Sequence, residues 1–328
     1  MIVLKKIREL DIVCGASNTR PLHLSAASGL VCLNTIMYVV ADDELHLGVF
    51  SAGDRRPGNL IRIWDGVLPD SKAARKRKKP DFEALTLIPP DGEFPHGALL
   101  VIGSGSRPNR RSGILLRLDQ HGVVCGSPRK VELSFILDAL REEFPSINIE
   151  GAVVAGQELR LFQRGNKRHP DNAIIRYPLA PAIDAIVAGC GNPMVPSSID
   201  RLDLGSIQGV PFCFTDAAAL PNGSIVFSAV AEDTADAYRD GSCMGAAIGM
   251  IDDSGRLLSI DQLEQPYKVE GIHARLDDDR IELLLVTDAD NPDIPATLFS
   301  AIIDPLRRCR TPGFSRDLAP LLRASQLS

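Results

Sequence analysis

Apolar residues in this chain come in short runs punctuated by Gly-, Pro-, Asn- and Asp-rich turns, and few stretches carry the period of an amphipathic helix. Five segments repeat one pattern: a hydroxyl or acidic residue, then small and apolar residues, a turn, and a stronger apolar strand. They are SGLVCLNTIMYVVADD from Ser28, EALTLIPPDG from Glu83, EGAVVAGQELRLFQRG from Glu150, DAAALPNGSIVFSAVAED from Asp216 and EGIHARLDDDRIELLLVTDAD from Glu270. A third strand follows in every unit, at 45–51, 114–119, 173–179, 244–252 and 297–304. Units of this length with four strands each are the size of propeller blades. The pattern therefore predicts an all-β chain folded over 1–328 as a single five-bladed β-propeller of four-stranded antiparallel meanders. The N-terminal stretch MIVLKKIREL supplies the strand that completes the last blade and leaves no open edge. Helix is expected only in LSFILDALREEF, with Ser134 as N-cap and Pro145 as stop, and around Arg316–Arg323.

Composition changes this picture only at its margins. With 45% hydrophobic residues in 328, a large core can form without disulfides or structural zinc. A net charge of −6 weighs against a nucleic-acid or membrane-surface partner, which needs a broad basic face. The run KAARKRKKP (72–80) has no aromatics to stack bases and reads as a solvated connection between blades 1 and 2. Seven scattered cysteines without a C-x-x-C pair read as free thiols of a reducing compartment. The short apolar start before Lys5 is neither signal peptide nor anchor, so a cytoplasmic protein is expected. The six histidines lack zinc spacing, and GSGSRPNRRSG lacks the ending of a phosphate loop.

Candidate chemistry follows from the repeat. The first strand of each blade lines the axis, so Ser28, Glu83, Glu150, Asp216 and Glu270 are expected to meet at one mouth of the channel. Two ionised carboxylates about 6 Å apart at an effective dielectric of about 20 repel by roughly 3 kcal/mol. Such a ring needs raised pKa values, neighbouring Arg or Lys, or a bound cation. An all-oxygen donor set selects a hard ion, Ca²⁺ in preference to Mg²⁺. Alternatively the acids accept backbone N–H bonds from the next blade and hold the blades in register. The loops between second and third strands return to the same mouth. They are basic in blade 2 (Arg107, Arg110, Arg111) and blade 3 (Arg164, Lys167, Arg168), which predicts binding of a small anionic ligand such as a phosphate or carboxylate. They are acidic in blades 1, 4 and 5, with Asp42, Asp43 and Glu44, then Glu232 and Asp233, then Asp288 and Asp290. Asp42 or Asp43 is the expected catalytic group that activates water.

These residues resemble the soluble calcium-activated nucleotidases, or apyrases, whose axial ring runs Ser, Glu, Glu, Ser, Glu. Here the order is Ser28, Glu83, Glu150, Asp216, Glu270, with an acid in the fourth place. VVADDELHLGVF is similar to that family's first blade and KVEGIHA to its last. The resemblance implies a five-bladed propeller, one calcium ion on the axis and hydrolysis of a phosphoanhydride or phosphoester. The E-G-[IV] strings are also similar to uncharacterised bacterial propellers related to phytase- and esterase-like domains, which implies the fold. Two functions are thus expected: a metal-dependent hydrolase of a phosphorylated or anionic small molecule, or a non-catalytic ligand- or protein-binding propeller with an ion or water in its channel.

Overall fold

The computed structural model describes residues 1–13, 22–189, 191–234, 241–278 and 280–304. Five antiparallel sheets follow one another along the chain and form a five-bladed β-propeller. Blade 1 comprises Ala27–Leu33, Ile36–Ala41, His46–Ser51 and Asn59–Arg62. Blade 2 comprises Phe82–Ile88, Ala98–Gly103, Ser112–Leu118 and Val124–Glu132. Blade 3 comprises Ile149–Ala155, Glu158–Gln163, Asn172–Pro178 and Ser198–Leu202. Blade 4 comprises Val210–Ala219, Ile225–Glu232, Cys243–Ile251 and Leu257–Gln262, with Ser206–Ile207 as a short fifth strand. Blade 5 comprises Val269–Asp277, Arg280–Thr287 and Thr297–Ile303, and its outer strand is Lys5–Glu9 from the other end of the chain. That strand pairs antiparallel, with Lys5 opposite Ser300 and Glu9 opposite Thr297, and it closes the ring as the repeat predicts.

The core explains why the strands read as unbroken apolar runs. It consists of five clusters, each lying between two neighbouring blades. Alternate side chains of one strand serve opposite interfaces. In Ile36–Ala41, Tyr38 and Val40 pack toward Phe82, Leu99 and Val101 of blade 2, whereas Met37 and Val39 pack toward Val286 and Leu298 of blade 5. At the interface of blades 3 and 4, Phe162, Phe214 and Phe227 form an edge-to-face chain with centroids 5.2 and 5.0 Å apart. The inner strands of each sheet are mostly buried on both faces, so the period-two signal of a half-exposed sheet is lost there.

Helices differ most from expectation. The helix at LSFILDALREEF is only Ser134–Leu137, followed by a 3₁₀ turn at Ala139–Arg141. Leu133 sits at its N-cap, and no side chain caps it. Lys72–Lys78, expected as solvated connection, is a helix whose N-cap Ser71 accepts the Ala74 N–H. Leu179–Ala188 is a helix ended by Gly189 in the left-handed region (φ 67°). It packs Ala182, Ile183 and Ile186 into the core between blades 2 and 3. The expected helix around Arg316–Arg323 lies outside the described residues. Among the described residues, no helix is long and apolar enough to cross a membrane.

Candidate functional site

Each first strand carries a β-bulge where it meets the axis, and the bulge decides which side chain enters the channel. The register slips between Ala27 and Gly29, Phe82 and Ala84, Ile149 and Gly151, Phe214 and Asp216, and Val269 and Gly271. The extra residues are therefore Ser28, Glu83, Glu150, Thr215 and Glu270. An extra residue is left out of the ladder and its side chain is re-aimed. The residue after it is Gly or Ala in four blades because neighbouring first strands nearly touch there. A Cβ on Gly271 would lie 3.2 Å from the Gly29 carbonyl carbon and 2.6 Å from Val286 Cγ2.

Ser28, Glu83, Glu150 and Glu270 do converge on one cavity of about 80 Å³ at the mouth. Asp216 does not join them, and the sequence alignment of blade 4 is corrected by one residue. Its ring position belongs to Thr215, whose Oγ1 donates to the Val269 carbonyl at 2.7 Å. Asp216 lies one step along the strand and is buried (1% exposed). Its Oδ2 accepts the Ile272 N–H of blade 5 at 2.9 Å, and the Ala217 and Leu30 N–H groups also bond it. Burial outweighs those bonds and pushes its carboxyl well above the ordinary range. Asp216 thus stitches blade 4 to blades 5 and 1, as the register-holding alternative expects of an acid.

The acids at the mouth are neutralised by the protein's own cations. Eight carboxylates line the axial cavity (Asp42, Asp81, Glu83, Glu150, Glu232, Glu270, Asp288, Asp290) against five cations (Lys76, Lys79, Arg110, Arg164, Lys268). The buried Arg164 guanidinium reaches Glu150 at 3.1 Å, Glu232 at 2.6 Å and Glu270 at 3.6 Å. Lys268 lies 2.6 Å from Asp290, 3.6 Å from Glu270 and 3.9 Å from Asp288. Lys79 bridges Asp42 and Asp81, the latter at 2.9 Å, and Arg110 holds Asp81 at 2.6 Å.

Three carboxylates remain in excess, and burial favours the protonated, neutral form of such groups. Burial, with Glu150 and Asp81 as neighbours, raises Glu83 well above the carboxylate range. Burial also raises Glu150 against the pull of Arg164 and Lys268, and lifts Glu270 to about 8 against the same two cations. Asp288 rises to about 8, from burial and from Asp42 and Asp290 nearby. Asp81 goes the other way, because Lys79 and Arg110 together outweigh its burial. Burial alone would lower Lys79, but Asp42, Asp81 and Glu83 overcome it and keep the ammonium charged.

A second cavity, of about 860 Å³, opens beside the first on the side of blade 1 and shares Asp42, Lys76, Lys79, Asp288 and Asp290 with it. The loop 42–45 forms part of its wall, in a turn where the Glu44 N–H bonds the Ala41 carbonyl at 3.2 Å. Asp288 is brought alongside by its bridge to Ala26, whose carbonyl also accepts the Asp42 N–H. Burial, reinforced by Asp42 and Glu44, lifts Asp43 to about 7, and its Oδ1 is buried with no hydrogen-bond partner among the described residues. The helix Lys72–Lys78 contributes Lys72, Arg75 and Lys76, and the Arg75 guanidinium donates to the Asp43 carbonyl at 3.1 Å.

Of the basic residues expected to bind an anion, only Arg110 and Arg164 face the mouth, and carboxylates hold both. Arg107, Arg111, Lys167 and Arg168 line neither cavity. Arg111 pairs with Asp138 at 2.8 Å and Lys167 with Asp233 at 2.7 Å. Lys79, Asp81 and Lys268 were not singled out from the sequence. A repeated spacing could have found two of them: Asp81 and Lys268, like Asn148, each stand two residues before a ring glutamate and line the same cavity.

A Ca²⁺ ion can be tested against this donor set. Carboxylate oxygens of Asp42, Asp81 and Glu83 lie within 4.8 Å of one another. The Glu83 side chain makes no hydrogen bond or ion pair among the described residues, and the residue is 9% exposed. The oxygens suit a hard cation. The Lys79 ammonium, however, already bridges Asp42 and Asp81, so an ion there has to displace it.

Comparison with known proteins adds a family. Solved structures similar to the chain include a glutaminyl cyclase from Myxococcus xanthus (TM-score 0.47, 11% identity, covering 92% of this chain and 98% of that one). A luciferin-regenerating enzyme has a TM-score of 0.43 at 11% identity, covering 85% and 92%. An α-L-arabinofuranosidase from Fusarium graminearum has 0.42 at 10%, covering 93% and 99%. Their functions differ, and they bring no link to the nucleotidases. A search of curated proteins finds no match. A family model described as "Family of unknown function (DUF6929)" matches residues 23–303.

Proposed function

Because the chain belongs to DUF6929, a family of unknown function, its own geometry must carry the reading, and we propose that it is a hydrolase of a small anionic molecule acting in the wide cavity. The observation that carries this is the wall of that cavity: an acidic loop with the unpartnered Asp43 Oδ1 faces a helix bearing Lys72, Arg75 and Lys76. Cavities of this size, apolar in part with a few convergent polar groups, are where small ligands bind.

The chemistry follows from carboxylates in unequal surroundings. Asp43, poised near 7 by burial and by Asp42, is matched to take a proton from attacking water at neutral pH. Asp288, raised to about 8 by burial, is protonated there and donates to the leaving group. Water adds across the scissile bond, and both carboxyls return to their starting state by proton exchange with solvent. The helix cations hold the anionic group, a role the sequence analysis gave to the loops of blades 2 and 3.

A second reading rests on the Asp42, Asp81 and Glu83 cluster: Ca²⁺ displaces Lys79 and fixes the mouth, without turnover or as a partner in it. One experiment separates the readings. Chelator-stripped protein is assayed against phosphate esters, nucleotides, carboxylic esters and glycosides, with and without calcium, alongside thermal melts. Turnover that survives chelation supports the acid–base reading, and turnover that needs calcium supports the metal reading. A calcium-dependent melting temperature with no turnover across the panel leaves a non-catalytic propeller and removes the hydrolase.

A further inference from the structure

We infer that the molecule bound in the wide cavity is amphipathic, with an anionic group turned toward the channel axis and an apolar body lying outward against blade 1. This names the substrate class of the site proposed above and rests on that reading. The two margins of the cavity are chemically unequal. On the outward side, the Ile12 N–H bonds the Leu22 carbonyl and the Val13 N–H bonds the Gly58 carbonyl, both at 2.8 Å. The segments carrying Ile12, Val13 and Leu22 are thereby laid beside the outer strand Asn59–Arg62 of blade 1, whose Leu60 lines the same cavity. Val13, Leu22 and Val67 are 56%, 53% and 77% exposed there, apolar side chains that no described residue covers.

On the inward side, Lys72 donates to the Asp290 carbonyl and Arg75 to the Asp43 carbonyl, both at 3.1 Å, so the helix is tied to the mouth loops. Arg75 rests on a carbonyl, an uncharged acceptor, and lines the cavity beside Asp43. A wholly polar occupant would leave the outward aliphatic side chains in water. A wholly apolar one would desolvate the carboxylates and cations of the inward side. Only an occupant with both kinds of surface satisfies both margins.

The test is binding, measured apart from turnover. The full chain is titrated calorimetrically at pH 7 and low salt with inorganic phosphate, with butyl, hexyl and octyl phosphate, with octanoate and with octanol. Affinity is expected to rise about tenfold for every two methylenes added to the alkyl phosphate. Val67→Asn, a neutral polar change at an exposed position, is expected to reduce that gain, and Arg75→Met to weaken every anion. Affinity that ignores chain length, or octanol binding as tightly as octyl phosphate and octanoate, would overturn the inference. Chain-length-dependent binding without any turnover would uphold it and remove the hydrolase reading. Turnover of short phosphoesters with no gain from longer chains would do the opposite.

Discussion

Arg164 shows most clearly how the mouth is kept together. One guanidinium touches carboxylates from three blades, Glu150, Glu232 and Glu270, and it is buried with them. Removing one partner of a buried ionic group is costly because the others stay uncompensated, typically about 3–5 kcal/mol. Arg164→Met is therefore expected to lower the melting temperature markedly at pH 7. It should recover part of the loss at pH 5, where those carboxylates still charged at pH 7 take up protons. Lys167→Met, which breaks an exposed pair with Asp233, should cost less than about 1 kcal/mol. Thermal melts of the two variants at both pH values check this; equal, pH-independent losses would contradict it. The same residue shows what a sequence hides. Arg164, Glu150, Glu232 and Glu270 were each legible as residues of the mouth, but their pairing was not, and it turns an expected ligand-binding group into an internal counter-ion.

At the scale of elements, the repeat was legible because every blade restates it, and the third strands fall within two residues of their expected limits. Four of the five ring residues were legible for the same reason. The fourth blade was misread because a β-bulge adds one residue with no signature of its own. TDAAA offers both Thr215 and Asp216, and only the pairing of Phe214 with Ala229 and Asp216 with Ser228 decides between them. The helix Lys72–Lys78 was missed for another reason. It has no buried residue and hence no apolar stripe, and its place beside the mouth is set by the tertiary contacts of Lys79 and Arg75. The helix Leu179–Ala188 follows Pro178 directly from a strand, and its apolar residues merge with the run before it. Short elements that owe their form to their surroundings leave little trace in hydrophobic period.

For the whole molecule, closure gathers charge as well as strands. The ring brings together carboxylates from all five blades, and their raised pKa values couple stability to pH. Asp43, Glu83, Glu150, Asp216, Glu270 and Asp288 give up their protons at higher pH in the folded state than in the unfolded chain, which releases them near pH 4. The folded state therefore binds more protons over this window, so stability falls as pH rises from about 5 through 8. Asp81, held down by Lys79 and Arg110, acts in the opposite sense, but only as pH falls below the ordinary carboxylate range. Melting temperature is thus expected to be higher at pH 5.5 than at pH 8.5, and a rise across that interval would contradict the account.

The claim that function resides beside blade 1 is tested most directly by a crystal structure of Asp43→Asn soaked with octyl phosphate. Density is predicted in the wide cavity, with the phosphate against Arg75 and Lys76 near residue 43 and the alkyl chain along Leu60 and Val67. Density instead around Arg107, Arg111, Lys167 and Arg168, with the wide cavity holding only solvent, would contradict it.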